Sequence, residues 1–274
     1  MTPIVLHHGL ILPGNVRVGP LTIGSFVGID RVLAERGYPL VLTQVHPTAG
    51  VARRAMQLKK IILKRLRNMA RDADTPGGGR RRRRPPDKVI IFAHSMGGLD
   101  ARHMITHLGM EARVAALVTL STPHRGSPYA DWCLRHLNRF RALQVLNMIG
   151  LDTGAAAELT TDACARFNDA TPDAPGVRYF SITAARPLLQ VSPLLFQPFR
   201  VVDAAEGAND GLVSIRSATW ATHLETWPVD HFHILNRRLL IEWKKKTGDV
   251  RPYYAALLDR LIKENVLPRK ALAK

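Results

Sequence analysis

The sequence predicts an α/β fold: a mostly parallel central sheet with helices on both faces and a helical lid or cap inserted after a mid-sheet strand. Three observations carry this expectation. Apolar, β-branched runs alternate with amphipathic helical stretches four times between Ile4 and Leu120, the pattern of right-handed strand–helix–strand crossovers. The run Val89-Ile90-Ile91-Phe92 is apolar at every position, as in a strand covered on both faces. A chain of 274 residues with 46% hydrophobic content is long enough for one sizeable core.

Ile4-Val5-Leu6 is the first strand, ending at His7-His8-Gly9-Leu10, and a glycine-containing loop runs on to about Pro20. Ser25 to Arg36 has an apolar face (Phe26, Ile29, Val32, Leu33) and stops at Gly37, so it reads as a helix. Pro39 to Val45 is the second strand. Thr48 to Arg71 is a long amphipathic helix with Met56, Ile61, Ile62, Leu63, Leu66 and Met69 toward the core and a basic opposite face. A Gly/Arg/Pro loop from Asp74 to Asp87 leads to the third strand, Lys88 to Ala93. A helix then runs from Met96 to about Leu108, stopped by Gly109, and a fourth strand covers Arg113 to Leu120. Regularity breaks from Ser121 to Pro175. Here Trp132 to Leu151 has apolar residues at helical spacing, and residues 126–175 are expected to form the lid or cap within a single domain spanning 1–274. Val177 to Ile182 returns to strand character, and Arg186 to Phe199 is Pro-rich and irregular. Asn209-Asp210-Gly211 is a turn, Trp220 to Val229 the last strand, and a helix pair over Ile234 to Lys246 and Tyr253 to Val266 closes the chain.

The charge balance is strongly basic, with 39 Lys+Arg against 22 Asp+Glu and a net charge of +17. Such a field favours anionic partners. The run Arg80 to Arg84, between Gly77-Gly78-Gly79 and Pro85-Pro86, reads first as a solvated loop and second as a weak attraction to anionic membrane surfaces. No nucleic-acid-binding motif is present, so no specific nucleic acid is expected. Two cysteines, Cys133 and Cys164, make no disulfide framework. No apolar run approaches the roughly 18 residues of a membrane span. The first six residues read as a strand rather than a signal peptide, so a cytoplasmic location is expected. The sequence does not determine the oligomeric state.

Chemistry is expected at Ala93-His94-Ser95-Met96-Gly97-Gly98, where strand passes to helix through a serine flanked by small residues. That is the setting of a nucleophile elbow, here A-x-S-x-G rather than G-x-S-x-G. A serine that only caps a crossover helix is the plain alternative. Ligands bind beyond the carboxyl ends of strands in open parallel sheets, and the Asp210 turn and His231 fall there as well. A serine hydroxyl needs a histidine to take its proton, and the histidine needs a carboxylate to fix its tautomer. The order Ser95, acid, His231 is that of α/β-hydrolases. His233 is the fallback base, and His223 would point sideways from the last strand. Asp203 and Asp230 compete with Asp210, although Asp230 would struggle to reach the ring of its own neighbour. Two backbone amides, of Leu10 after the first strand and of Met96 after the nucleophile, are candidate oxyanion donors. The side chains of His8 and His94 read as loop histidines bonded to backbone.

Several stretches together resemble bacterial triacylglycerol lipases of the α/β-hydrolase fold: His8-Gly9-Leu10, Ala93 to Gly98, Ser121 to Ser127, Asn209 to Val213 and Asp230-His231. Leu159 to Ser181 is similar to the segment those lipases carry after the lid, and Tyr253 to Leu267 to their last helix. The resemblance implies Ser95, Asp210 and His231 as the triad and Leu10 and Met96 as the oxyanion hole. It also implies Trp132 to Leu151 as the lid, with Ile11, Leu137 and Phe140 against a lipid or other ester substrate. It does not carry over the family's calcium site, because the matching positions hold His233 and Arg237, neither a hard-cation oxygen ligand. No metal or other cofactor is expected. The implied activity is hydrolysis of acyl esters, with an acyltransferase or a non-catalytic lipid- or protein-binding member as the alternatives.

Overall fold

The computed structural model describes residues 2–10, 16–18, 21–23, 25–74, 86–139, 154–237 and 248–268. The first strand, β1 (Ile4–His7), is followed by a short antiparallel ribbon of β2 (Val16–Val18) and β3 (Leu21–Ile23), where the sequence suggested only a loop. Then come α1 (Ile29–Glu35), β4 (Leu40–Leu42), α2 (Val51–Asp74), β5 (Val89–His94), α3 (Met96–His107) and β6 (Val114–Leu120). The stretch after β6 contributes α4 (Pro128–Arg139), α5 (Gly154–Ala157) and α6 (Thr161–Ala170). The chain continues through β7 (Arg178–Ala184), α7 (Phe196–Glu206), α8 (Ile215–Ala218), β8 (Thr222–Trp227) and α9 (Arg251–Lys263).

The main sheet has the order β4-β1-β5-β6-β7-β8, and every neighbouring pair is parallel. The alternation of side chains along each strand sorts the core into two layers. Ile4, Leu6, Ile90 and Phe92 face α1 and α9, meeting Ile29, Leu33, Leu257 and Leu261. Val5, Ile91 and Ala93 face α2 and α3, meeting Leu58, Ile62, Met104 and Ile105. The expected fold, a parallel sheet with helices on both faces, is the one observed.

The strand order reverses between β1 and β5: the chain moves from β1 outward to β4, then returns to add β5 on the other side. A crevice opens beyond the carboxyl ends of strands at such a point. Ser95 follows β5 there and Gly9 follows β1.

Some expected elements change. The Pro-rich stretch read as irregular ends in the first turn of α7, which accepts Pro198 because the backbone there needs no donor. In α2 the buried stripe is Ala55, Leu58, Ile62 and Leu66, with Ile61, Leu63 and Met69 at its margin; Met56 faces outward, 56% exposed. The expected helix over Ile234 to Lys246 begins as a single 3₁₀ turn, His233–Leu235, and residues 238–247 lie outside the described part. The run Arg80 to Arg84 and the stretch 140–153 of the expected lid also lie outside it. Among the described residues no helix is long and apolar enough to cross a membrane.

Candidate active site

The turn from β5 into α3 is tight. Ser95 has φ 54° and ψ −134°, in a region that non-glycine residues rarely occupy. Its N–H is anchored to Leu120 O at 2.9 Å, and its carbonyl accepts the Gly98 N–H at 3.0 Å. A small residue is required two positions later because the helix start is pressed against the loop after β1. A Cβ on Gly97 would come 2.8 Å from His8 O.

Asp210 is fixed by its own turn. Its Oδ1 accepts the amides of Leu212 (2.9 Å) and Val213 (2.8 Å), and its N–H donates to Val213 O at 3.1 Å. That leaves Oδ2 for His231 Nδ1, 2.8 Å away. The turn also holds the histidine's backbone, since His231 N–H donates to Asp210 O at 3.0 Å. On the far side of the ring, Nε2 lies 3.0 Å from Ser95 Oγ. With the Nδ1 proton given to Asp210, Nε2 is free to accept from the serine hydroxyl. All three side chains are buried. The structure thus brings together Ser95, Asp210 and His231.

The other candidates separate cleanly. Asp203 is exposed on α7. His223 is exposed on β8, its Nε2 3.2 Å from Thr183 Oγ1. Asp230 turns away from His231 and pairs with His233 Nδ1 at 2.6 Å, while accepting the amides of Ser192, Phe232 and His233 at 2.9–3.0 Å. Burial alone would raise the Asp230 carboxyl; the bonds from His233 and these loop amides outweigh it and hold the group below the usual carboxylate range.

The two loop histidines differ. His8 is satisfied on both ring nitrogens: Nδ1–H donates to Gly9 O at 2.9 Å and Nε2 accepts the Val45 N–H at 3.3 Å. Burial, with a smaller push from His7, drives its pKa down to about 4. His94 donates from Nε2 to His231 O at 3.0 Å, and its ring packs at 4.6 Å from the His231 ring. Both histidines thus bond to backbone as expected, but His94 Nδ1 has no partner among the described residues. Burial keeps His94 well below its ordinary pKa.

Ser95 and His231 open onto a cavity of about 370 Å³, within the range of small-molecule sites. Its walls are mostly apolar: Leu10 from the β1 loop, Tyr129, Ala130 and Cys133 from α4, and Leu212 and Phe232 from the loops carrying Asp210 and His231. Both cysteines are free, Cys133 on this wall and Cys164 buried behind it. Leu10 lines the cavity and Met96 opens α3, the positions expected of the two amide donors. Ile11 and Phe140 lie outside the described residues, as does the side chain of Leu137 on α4. Among the described residues, no three His, Cys, Asp or Glu side chains are grouped to hold a metal ion.

One buried network escapes the sequence reading. Arg54, Asp100 and His7 are fully buried together behind the β1 loop. Asp100 Oδ2 receives Arg54 Nε at 2.8 Å and His7 Nε2 at 2.9 Å. The signal was present: Arg54 stands at four-residue spacing before Leu58, Ile62 and Leu66, a charge on an apolar stripe.

Comparison with known proteins gives the following similarities. Residues 49–147 match the model of a PGAP1-like alpha/beta domain. Triacylglycerol lipase 2 of Saccharomyces cerevisiae is 28% identical over 258 residues, covering 89% of this chain and 75% of the yeast protein. Among solved structures, the mature lipase BlEst2 of Bacillus licheniformis superposes with a TM-score of 0.64 at 24% identity, covering 94% of this chain and 91% of its own. The metagenomic carboxyl esterase MGS0156 gives 0.71 at 22%, covering 96% and 76%. Staphylococcus hyicus lipase gives 0.69 at 16%, covering 96% of each chain. The relatives include a yeast protein as well as bacterial ones, so the likeness is to lipases and esterases broadly and not to the bacterial group in particular. The chain is similar in sequence to a triacylglycerol lipase, and it shares its fold with lipases and a carboxyl esterase.

Proposed function

We propose that the chain is a serine carboxylic-ester hydrolase acting on acyl esters of lipid type. The observation that carries this reading is the relay Asp210 Oδ2–His231 Nδ1 (2.8 Å) and His231 Nε2–Ser95 Oγ (3.0 Å), opening on an apolar cavity. Ser95 attacks the ester carbonyl while His231 takes its proton at Nε2. Asp210 stabilises the imidazolium, and the Leu10 and Met96 amides receive the developing oxyanion. His231 then protonates the leaving alcohol, and a water molecule activated by the same ring releases the acid. The acyl chain lies along the apolar wall, and the 126–175 insertion, through α4, covers it.

The test is a hydrolysis series of p-nitrophenyl esters from short to long acyl chains, with emulsified triglyceride as a second substrate. Wild-type protein is expected to cleave the esters and to be labelled at Ser95 by an organophosphonate. Ser95→Ala should lower kcat by about 10⁴-fold or more with its circular dichroism unchanged. Full activity in that variant would refute the assignment. Transfer of the acyl group mainly to an added alcohol would make the protein an acyltransferase.

A further inference from the structure

The first turn of α2 carries an arginine on a face that is otherwise apolar. Arg54 is fully buried, so its guanidinium must be answered on every side. Four hydrogen bonds do this. Nε donates to Asp100 Oδ2 (2.8 Å), one terminal nitrogen to His46 O (2.8 Å), and the other to both His8 O (2.7 Å) and Gly9 O (3.3 Å). Asp100 lies in the helix that starts at the nucleophile turn, and His7, which shares its Oδ2, is held in turn by Thr43 Oγ1 at 2.8 Å. The loop after β1 is therefore tied to α2 and α3 through one side chain.

Tying down those carbonyls has a geometric result. In a trans peptide the carbonyl and the following N–H point in opposite directions. Holding Gly9 O toward Arg54 turns the Leu10 N–H away from it. The Gly9 α-carbon itself lies against the nucleophile, since a Cβ there would come 2.7 Å from Ser95 Cβ. His8 adds a second restraint on the same carbonyl through its Nδ1–H.

We propose that Arg54 is a positioning residue for ester hydrolysis: supported by Asp100, it holds the β1 loop so that the Leu10 amide faces the oxyanion formed at Ser95. The inference rests on Ser95 being the nucleophile of an ester hydrolase. A merely structural Arg54 behaves differently, because its loss would reduce the folded fraction and leave the turnover of each folded molecule unchanged.

That difference is measurable. Active sites are counted by titration to completion with an organophosphonate, and kcat and KM per titrated site are measured on a soluble p-nitrophenyl ester. Arg54→Lys keeps the charge, but its three-donor ammonium cannot span three carbonyls and a carboxylate. Its kcat per site is expected to fall about 10- to 100-fold, less than the roughly 100- to 1,000-fold cost of deleting an oxyanion donor outright. KM should stay within about threefold, and affinity for a boronic acid mimic of the tetrahedral state should fall in step with kcat. In Arg54→Ala, guanidinium ion should restore part of kcat and methylammonium should not. Asp100→Asn, which keeps the shape, should show a smaller kcat loss in the same direction, about several-fold, and carries the test alone should the arginine variants not fold. An active wild type whose kcat per site is unchanged within twofold in the variants that fold overturns the role of Arg54 and leaves the hydrolase reading standing. A wild type that neither labels at Ser95 nor cleaves the ester overturns both.

Discussion

Two carboxylate–histidine pairs lie in adjacent loops of this molecule, and they have the same chemistry and nearly the same distances. Asp210 holds His231 at 2.8 Å and Asp230 holds His233 at 2.6 Å, both pairs buried. What separates them lies at their outer ends. His231 continues to a hydroxyl, Ser95 Oγ, on the wall of a cavity. Asp230 has both oxygens engaged by the amides of Ser192, Phe232 and His233, so that pair ties the 186–195 segment to the His231 loop. A buried acid beside an imidazole is therefore as able to staple a loop as to relay a proton. The cavity and the waiting hydroxyl distinguish the second use.

The sharpest way to break this contrast is to remove each acid in turn. Asp210→Asn presents an N–H to His231 Nδ1 and forces the wrong tautomer, so kcat should drop by about 10⁴-fold while the fold persists. Asp230→Asn should leave kcat per titrated site within about tenfold but lower the unfolding free energy by up to about 3 kcal/mol, because a buried pair is broken. Urea unfolding and steady-state kinetics on both variants decide the matter; the reverse pattern would move the catalytic acid to Asp230.

A smaller effect comes from the histidines that face no carboxylate. Burial holds His94 and His124 neutral and takes His8 down to about 4. In the unfolded chain each would titrate near 6.5. Between pH 6.5 and about 4 the unfolded state thus binds more protons, and stability rises with pH. It should be at full strength above pH 6.5 and decline as the pH falls, with His8 alone costing about 2 kcal/mol at pH 5. The urea midpoint should be lower at pH 5 than at pH 7, and His8→Gln should narrow the gap. A midpoint that did not move would contradict the neutral, buried state of these rings.

Much of the site was legible because its signals are local. Ala93, Gly97 and the apolar run before Ser95 mark the elbow within ten residues, and Asn209-Asp210-Gly211 marks a turn by side chains that cap their own backbone. Burial on both faces wrote itself into the unbroken apolar strand β5. What stayed hidden depends on partners far apart in sequence. Arg54 reads as part of a basic helix until Asp100 and the His8 carbonyl are brought to it by two different elements, α3 and the loop after β1. The prolines at 193 and 198 look like breakers until their positions show them at helix starts, where a missing N–H costs nothing. The adjacency of Asp230 to His231 already favours Asp210 in the sequence, but the partners that occupy Asp230, namely His233 and the amides of Ser192, Phe232 and His233, appear only in the fold.

The contact between the turn after β5 and the loop after β1 closes some routes of change and leaves others open. Positions 9 and 97 have no room for even a methyl group, one against Ser95 and the other against the His8 carbonyl. A library randomised at both should return glycine alone among active clones, whatever the selected substrate. The α4 wall instead presents the side chains of Tyr129, Ala130 and Cys133 to the cavity. New acyl preferences can therefore arise there one substitution at a time, while the machinery across the cavity stays fixed.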